Sequence, residues 1–316
     1  MPTFNRQQLS SLATETGFLR DNLEKVIRLT GILHFIDNNP FLTNRLALKG
    51  GTAINLTIFQ MPRLSVDIDL DYCNDCDRET MLEDREKINA LLASYMTTQG
   101  YTISPSSKSP HSLDSWVFGY INAGGNRDNI KIEVNYSMRC HIFPPQKSHV
   151  AISFLQQFIV NVLSPVELFG SKIKALIERR ACRDLYDVYQ MIHQETIPAY
   201  QFDALRKTVL FYLVVGASEP PQHTYSFQSI QAIQYRQIRA TLIPVLRKKE
   251  RFDYEEAKTT VIGFLEELLK FKADELLFID TFRQGLYRPE LLFDDIDIIQ
   301  RIRNHPMAIW KTRNHI

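Results

Sequence analysis

The chain has 316 residues, of which 44% are hydrophobic and 23% are charged, and its formal net charge is +1. These ordinary globular values exclude a disordered chain and exclude a whole-protein electrostatic field for polyanions, so any RNA contact must come from local basic patches. The length is sufficient for two domains with a sizeable buried core.

No segment indicates export or insertion into a membrane. The apolar runs are shorter than the roughly 20 residues that a transmembrane helix needs, and the N-terminus lacks the apolar region of a signal peptide. We therefore expect a cytoplasmic protein whose cysteines form no structural disulfides. Cys73 and Cys76 have the spacing of a zinc or redox pair, but no second pair accompanies them, and they are interpreted as incidental loop thiols.

The first part of the chain alternates helical and strand patterns. Residues 7–37 carry apolar residues at a spacing of three to four, which predicts helices, and residues 46–48 form a short apolar strand. A helix is predicted from Thr52 to Phe59, and Met61-Pro62 ends it. The segment Val66 to Tyr72 alternates apolar and acidic residues, which predicts a strand with one polar face.

Further along the chain, the patterns change from strands to helices. An amphipathic helix is predicted over residues 78–99, followed by strands at 101–103, 115–122 and 129–137. After a connector over residues 140–148, Ser164 and Pro165 provide the cap and first turn of another helix. The remainder is mostly helical. The strands are thus expected in the first half and helices in the second.

The most informative feature is a pair of carboxylates on the predicted strand from Val66 to Tyr72. Asp67 and Asp69 are two residues apart and therefore point to the same face. Such a pair suits Mg²⁺, which proteins bind through one or two carboxylates together with substrate phosphates. The alternative is the solvated face of an edge strand. Glu133, on another predicted strand, adds a third acid, and crowded carboxylates usually need a cation.

The segment before this strand favours phosphate binding. Gly50, Gly51 and Thr52 combine a backbone that can approach a triphosphate closely with a hydroxyl and free amides at a helix start. The same residues are also typical of a tight turn with a helix cap. The flanking polar residues, which either contact phosphate or are ordinary surface residues, are Lys49, Arg63 and Ser65. The two segments together indicate nucleotidyl or phosphoryl transfer.

A basic segment lies in the second half of the chain. Lys172, Arg179 and Arg183 are dense enough to hold a triphosphate, and Asp184 is placed to orient one of them. The usual explanation for such charges is the solvated face of a helix. The basic residues that either line an RNA groove or are solvated in the same way are Arg179, Arg180, Arg183, Arg236, Arg239, Arg247, Lys248 and Lys249.

Five segments resemble, in order, the motifs of the AbiEii/AbiGii-type nucleotidyltransferase toxins. These segments are 49–53 (KGGTA), 63–70 (RLSVDIDL), 131–136 (KIEVNY), 172–176 (KIKAL) and 183–187 (RDLYD). The resemblance implies an α+β fold: a nucleotidyltransferase-like mixed sheet flanked by helices in residues 1–150, which include N-terminal helices. It also implies a helical C-terminal domain in residues 151–316 that contributes Lys172 and Asp184 to the site.

The resemblance also implies residue roles. Gly51 and Thr52 correspond to the glycine-serine or glycine-threonine element of the family, although the interval to Asp67 is slightly longer than in its tightest form. Asp67 and Asp69 correspond to the metal-binding acids. Lys172 corresponds to the lysine of the Lys-x-x-Ala-Leu motif. Asp184 corresponds to the acid of the Arg-Asp-x-Tyr-Asp motif, with Asp187 as a weaker candidate. Glu133 occupies the place where related transferases can carry a third carboxylate.

Members of the family are typically toxins of bacterial toxin–antitoxin or phage-defence systems, and some add nucleotides to the acceptor end of tRNA. The resemblance therefore implies a nucleotidyltransferase that uses one or two Mg²⁺ ions and an NTP, with tRNA or another RNA as acceptor and an antitoxin as a further partner. Two alternatives stay open. One is a phosphotransferase that modifies a protein or small molecule at the same site, and the other is a non-catalytic scaffold for a protein partner.

Overall fold

The computed structural model describes residues 4–217 and 220–314, which fold into two compact units. Unit 1 combines the chain up to Arg139 with Pro145–Val162 and Val245–Glu250. Unit 2 consists of Cys140–Pro144, Leu163–Pro244 and the chain from Arg251 onwards. Across the described ranges, no helix has the length and apolar character needed to cross a membrane.

A mixed sheet forms the centre of unit 1. The described residues contribute seven strands, which are β1 (Leu46–Lys49), β2 (Asp67–Tyr72), β3 (Thr102–Ile103), β4 (Leu113–Ile121), β5 (Arg127–Asn135), β6 (Gln146–Val150) and β7 (Phe158–Val162). Their spatial order is β3-β4-β5-β2-β1-β7-β6. The pairs β2–β5 and β1–β7 are parallel, and the other neighbours are antiparallel.

The helices of unit 1 precede, interrupt and follow the first two strands. They are α1 (Arg6–Thr16), α2 (Arg20–Asn38), α3 (Pro40–Thr43), α4 (Gly50–Ala53) and α5 (Arg78–Thr98). The structure differs from the helix predicted at Thr52 to Phe59, because α4 is short and continues as a π-helical turn over Ile54–Ile58. Met61 then takes a positive φ of 63°, which ends the helical segment.

The sheet has one buried face and one more exposed face, as the sequence alternation predicts. On β2 and β5, Ile68, Leu70, Ile130, Ile132 and Val134 are buried. The residues between them on β5 are half-exposed or exposed. Because side chains alternate along a strand, the apolar series packs into the core of unit 1 and leaves the polar series on the other face.

Unit 2 is helical. Its helices are α6 (Pro165–Arg179), α7 (Cys182–His193), α8 (Phe202–Gly216), α9 (Gln228–Gln231), α10 (Tyr235–Thr241), α11 (Tyr254–Leu268), α12 (Ala273–Arg283), α13 (Ile296–Ile302) and α14 (Pro306–Asn314). Short 3₁₀ turns lie at Ala199–Gln201, Ile243–Val245 and Pro289–Leu291. Helices α6 and α8 approach closely at Gly170, where an added Cβ would overlap the Thr208 side chain.

The start of α6 is fixed by local and long-range hydrogen bonds. Ser164 Oγ accepts from the backbone N–H of Glu167 at 3.2 Å, which confirms the predicted cap. The buried Glu167 carboxylate accepts from the backbone N–H groups of Ile142 (3.0 Å) and Phe143 (3.1 Å) and from the Tyr212 hydroxyl. These bonds attach the 140–144 segment to unit 2.

Candidate functional site

Charged side chains from three strands lie in register on the polar face of the unit 1 sheet. On the parallel pair β2–β5, Asp67 is opposite Lys131 and Asp69 is opposite Glu133. On the antiparallel pair β1–β2, Lys49 is opposite Asp69. Residues opposite each other in neighbouring strands project to the same side of a sheet, so separate segments of sequence meet here. We call Lys49, Asp67, Asp69, Asp71, Lys131 and Glu133 the acid face.

Two lysines offset part of the negative charge of the acid face. The Lys49 ammonium donates to the buried Asp71 carboxylate. The Lys131 Nζ lies 2.8 Å from Glu133 Oε1. Four carboxylates against two lysines leave two uncompensated negative formal charges on this face. A concentration of like charges on a half-exposed surface favours a bound cation.

Glu133 stays ionised beside Lys131. Burial by itself raises the pKa of Glu133, but hydrogen bonds from Lys131 and Ser115 and the nearby ammonium charges outweigh it and hold the pKa below the ordinary value. The pKa of Lys131 is raised, because its contact with Glu133 and the charges of Asp67 and Asp69 outweigh the opposing effect of burial. In this structure Glu133 therefore engages Lys131.

The glycine turn lies directly against the acid face. Gly50 has a φ of +69°, and a Cβ added to it would lie 2.6 Å from Asp69 Oδ2. A Cβ on Gly51 would lie 2.8 Å from Arg63 Nη2 and 3.1 Å from Ser65 Oγ. The Thr52 hydroxyl donates to the carbonyl oxygen of Asp67, which ties the start of α4 to β2. No side chain fits between Gly50 and Asp69, so the backbone of the turn lies directly beside this carboxylate.

Arg63 and Ser65 occupy different environments behind the glycine turn. Arg63 is only 1% exposed, and its Nη1 donates to the carbonyl oxygen of Leu64 at 2.9 Å. Its backbone bridges to Leu246, which belongs to the same unit although it is distant in sequence. Ser65 is half-exposed. The buried Arg63 guanidinium therefore packs against the glycine turn at Gly51.

The residues of the acid face fit a divalent cation of the Mg²⁺ type. Asp67 and Asp69 provide half-exposed hard oxygen donors on one face, and Gly50 leaves the space beside Asp69 Oδ2 clear of any side chain. Among the residues described, no group of three or more His, Cys, Asp and Glu side chains has the arrangement of a metal site. The donor set therefore suits an ion that completes its coordination with water and substrate phosphates.

The second predicted cluster lies within unit 2, on α6 and α7. Lys172 Nζ is 2.9 Å from Asp184 Oδ1 and 3.1 Å from Asp187 Oδ2, and Arg179 Nε is 2.6 Å from Asp184 Oδ2. Lys172, Asp184 and Asp187 are buried, whereas the Arg179 side chain is 63% exposed. We call these four residues the Lys172 cluster. Asp187, the weaker candidate from sequence, contacts the lysine as directly as Asp184 does.

The electrostatics of the Lys172 cluster follow from burial and pairing. Burial by itself raises the pKa of Asp184, but the charge of Lys172 and the hydrogen bonds from Arg179 and Lys172 outweigh it and lower the pKa below its ordinary value of 3.8. Two carboxylates therefore hold one buried ammonium group in a fixed position.

Sequence reasoning did not assign roles to Lys131, Ser115 and Asp71. Ser115 lies opposite Glu133 on the antiparallel pair β4–β5, and Lys131 lies between Asp67 and Glu133. The available signal was the shared parity of Lys131 and Glu133 on one strand. The parity does not state which neighbouring strand supplies the opposing residue, because strand pairing is set by the tertiary fold.

The thiol of Cys73 is poorly suited to nucleophilic or metal-binding chemistry. Cys73, Cys76, Cys140 and Cys182 form no disulfide among the described residues. Burial, followed by the charge of Asp71, raises the pKa of Cys73 to about 12. A thiol that stays protonated at neutral pH is a poor nucleophile and a poor metal ligand.

A mixed sheet with a paired-acid strand next to a glycine turn is the framework of a nucleotidyltransferase. The sequence model of the family described as "Nucleotidyl transferase AbiEii toxin, Type IV TA system" matches residues 35–280. The chain belongs to this family of nucleotidyltransferase toxins of type IV toxin–antitoxin systems. A search of curated proteins found no match.

Among solved structures, the chain is similar to MenT4, a nucleotidyltransferase toxin from Mycobacterium tuberculosis H37Rv. The match has a TM-score of 0.63 and 15% sequence identity, and it covers 97% of this chain and 99% of that chain. At this identity the likeness shows the fold. The predicted family, the α+β fold with a mixed sheet flanked by helices, and the enzyme class are confirmed.

Proposed function

We propose that the chain is a Mg²⁺-dependent enzyme that transfers a nucleoside monophosphate from an NTP to a hydroxyl group of an RNA, with tRNA as the expected acceptor. The observation that carries this proposal is the half-exposed pair Asp67 and Asp69, with the Asp69 carboxylate packed directly against Gly50. Paired hard oxygen donors beside a side-chain-free backbone fit a triphosphate that brings its own cation.

Each residue near the pair has a proposed task. Asp67 and Asp69 would hold the cation, which when bound supplies charge neutralisation at the phosphoryl oxygens and activation of the attacking hydroxyl. The backbone of Gly50, Gly51 and Thr52 would bind the triphosphate, with Lys49 beside it, while Arg63 and Ser65 support the turn. Phosphoryl transfer depends mainly on such positioning and charge neutralisation.

Glu133 has a positioning task in this proposal. Its lowered pKa makes it a weak base, and its carboxylate engages Lys131 opposite Asp67. Glu133 would therefore hold Lys131 near the acids rather than accept a proton. The acceptor hydroxyl attacks the α-phosphorus in line and gives up its proton to solvent water, and pyrophosphate leaves with the electrons of the broken P–O bond.

Lys172 is proposed to act as a point charge for phosphate, with Asp184 and Asp187 holding its ammonium group. Membership in the family supports this proposal. The antitoxin partner and the cytoplasmic location are likewise proposals that rest on the family.

The test incubates the protein and its Asp69→Asn variant with Mg²⁺, total tRNA and each α-labelled NTP in turn. We expect label in RNA with the wild-type chain only, and the NTP that gives it identifies the nucleotide. Replacing Mg²⁺ with a chelator should remove the label as well. Label in RNA with the variant at wild-type rate would overturn the role of Asp69.

The alternative activity is a phosphotransferase that uses the same acids. Mass spectrometry of the modified acceptor separates the two reactions, because attack at the α-phosphorus adds a nucleoside monophosphate and attack at the γ-phosphorus adds a phosphate group. Label on polypeptide would identify a protein acceptor. The absence of product with every NTP and acceptor would favour a non-catalytic scaffold.

A further inference from the structure

The hairpin formed by β4 and β5 extends beyond the acid face. Strand β2 begins at Asp67, whose partner on β5 is Lys131, and the partner of Lys131 on β4 is Val117. The two strands of the hairpin continue past this row, as far as the pair Ile121 and Arg127. We call residues 118–130 the overhang. It extends the sheet next to Asp67, with β3 paired to β4 at Phe118 and Gly119 and two strands beyond them.

The back of the overhang is fixed to α2. Lys25 Nζ lies 2.7 Å from Asp128 Oδ1, and the Arg28 guanidinium lies 4.2 Å from the centre of the Tyr120 ring. The Glu24 carboxylate accepts from the backbone N–H of Ala123 at 2.8 Å, in the turn of the hairpin. An ion pair, a cation–π contact and a charge-assisted hydrogen bond therefore hold one face and the tip in place.

The front of the overhang is open and differs in charge from the acid face. By strand alternation it carries Gly119, Ile121, Arg127 and Asn129, none of which is acidic. Ile121 is 59% exposed, and Arg127 and Asn129 are also exposed. This surface continues without a break to Lys131 and Val117 in the next row.

A second exposed cation borders the same surface. Lys108 pairs across the edge with Ser115 and so projects to the side of the sheet that carries Glu133. Across residues 4–217 and 220–314, the side chains of Lys108 and Arg127 have no hydrogen bond or ion pair with the protein. Their charges are therefore available to an external anion.

We propose that the front of the overhang, together with Lys108 and Lys131, binds the sugar–phosphate backbone of a single-stranded RNA end and places its terminal hydroxyl beside Asp67 and Asp69. This inference rests on the proposed function, because it assigns the path of the acceptor. Acidic side chains repel a polyanion, so the acceptor needs cations next to the acid pair to remain there. The exposed side chains of Lys108 and Arg127, together with Lys131, supply these cations next to the acid pair.

The spacing suits an extended strand. Arg127 and Lys131 are four residues apart on β5, which separates their Cα atoms by about 13 Å, so they contact different phosphates of one chain. Between them Gly119 has no side chain, and the hydroxyl of Thr102 on β3 lies 3.3 Å from where its Cβ would be. Val117 and Ile121 offer apolar contact to a base or ribose. A protein partner is less well matched, since protein interfaces centre on a larger apolar patch.

The test compares Lys108→Gln/Arg127→Gln with Arg6→Gln/Arg78→Gln. The control removes the same charge from exposed first residues of α1 and α5, whose side chains also have no partner among the described residues. Binding of a fluorescent single-stranded RNA of about 10 nucleotides with a free 3′-hydroxyl, within the site size of a small groove, is followed by anisotropy at several KCl concentrations.

We expect the Lys108/Arg127 variant to bind this RNA about tenfold more weakly at low salt, because the loss of each phosphate contact reduces the number of counterions that binding releases. The slope of log affinity against log salt should become shallower by about 1.4, or about 0.7 for each of the two contacts. The control should change affinity by less than about twofold, an effect of net charge alone. Equal changes in the two variants, or no change in either, would overturn the proposal.

Kinetics separate this inference from the proposed function. With wild-type transfer to RNA established, the Lys108/Arg127 variant should raise KM for RNA while kcat and KM for the NTP stay within about twofold. If wild-type transfer to RNA fails but the variant still weakens RNA binding, the proposed function is wrong and the surface assignment holds. If transfer occurs and RNA binding is unaffected, the surface assignment is wrong. Weakened binding to a protein partner with unchanged RNA binding would also overturn it.

Discussion

The acid face of unit 1 and the Lys172 cluster of unit 2 differ in how their charged side chains are buried and paired. On the acid face, like charges share one half-exposed surface of the sheet, and two lysines neutralise only part of them. In the Lys172 cluster, opposite charges are buried together, and each carboxylate is in contact with a cationic group. The acid face keeps a net negative charge that is partly in contact with solvent, whereas the Lys172 cluster pairs two buried carboxylates with cationic groups.

From this difference we expect the acid face to matter for ligand binding and the Lys172 cluster to matter for the stability of the fold. Buried charges are tolerated only when they are paired, because removal of one partner leaves an uncompensated charge in a medium of low polarity. Half-exposed like charges remain hydrated, so the fold tolerates them and an external cation can use them. A charge removed from the acid face should therefore cost activity, whereas a charge removed from the Lys172 cluster should first cost stability.

The largest effect is expected for Asp67→Asn. Transfer should fall by about 10³-fold or more, since one of two cation-holding carboxylates is lost. The free energy of unfolding should change by less than about 0.5 kcal/mol, because Asp67 is half-exposed and its carboxylate has no hydrogen bond among the described residues. Initial rates with a labelled NTP and urea unfolding check the two parts. A large loss of stability would break the distinction between the regions.

The second effect is a loss of stability in Lys172→Met. Two buried carboxylates would lose their shared ammonium group, which should reduce the free energy of unfolding by about 3–5 kcal/mol. Lys174→Met on the same helix is the control. Its pair with Glu178 is more exposed, so the loss should be less than about 1 kcal/mol.

Urea unfolding measures both lysine variants. Adding Asp184→Asn and Asp187→Asn to Lys172→Met should recover part of the lost stability, because the uncompensated carboxylates are then neutral. If the triple variant is less stable than Lys172→Met alone, repulsion between the buried carboxylates is not the cause.

The third effect concerns the glycine turn. Gly50→Ala should lower the free energy of unfolding by about 1–3 kcal/mol and transfer by about tenfold or more, since φ is +69° and the added Cβ would lie 2.6 Å from Asp69 Oδ2. Gly100→Ala has a similar φ of +80° and no neighbour within 4 Å, so it should show the backbone cost and full transfer. Equal transfer rates for the two variants would argue against close packing of the turn on Asp69.

The smallest effect is a pH dependence of stability that comes from Asp184. Its pKa in the folded protein is below the ordinary value of 3.8, so its contribution is complete above that value and is lost as the pH falls through the folded pKa. The stability difference between the wild-type chain and Asp184→Asn should therefore be constant from pH 5 to 7 and shrink below about pH 4. Urea unfolding over this range checks it, and a difference that grows on acidification would have the wrong sign.

Local signals in the sequence identified much of the acid face. Strand alternation gives Asp67 and Asp69 a common side, the glycines mark a turn, and the Ser164 cap marks the start of α6. These features depend on near neighbours in the chain. The strands β6 and β7 were missed, because the connector predicted over residues 140–148 has prolines and no clear alternation. Their pairing with each other and with β1 is long-range.

Burial of charged residues was the main feature that local patterns did not reveal. Arg63 follows Pro62 in a segment with no predicted helix or strand, yet it is 1% exposed because a segment around Leu246 pairs with it. Lys172 belongs to a basic run that is typical of a solvated helix face. It is nevertheless buried, and two carboxylates from α7 pair with its ammonium group. In both cases the partner lies in another segment of the chain.

The sequence by itself predicted which residues carry the chemistry, and it determined the side of each strand on which they lie and the family, because motif spacing and strand parity are properties of neighbouring residues. Only the tertiary structure decided that Lys131 stands opposite Asp67, that Glu133 engages that lysine, and that Lys172 is held between two buried carboxylates. The physical reason is that register and burial are set by the packing of segments distant in sequence, which no local pattern contains.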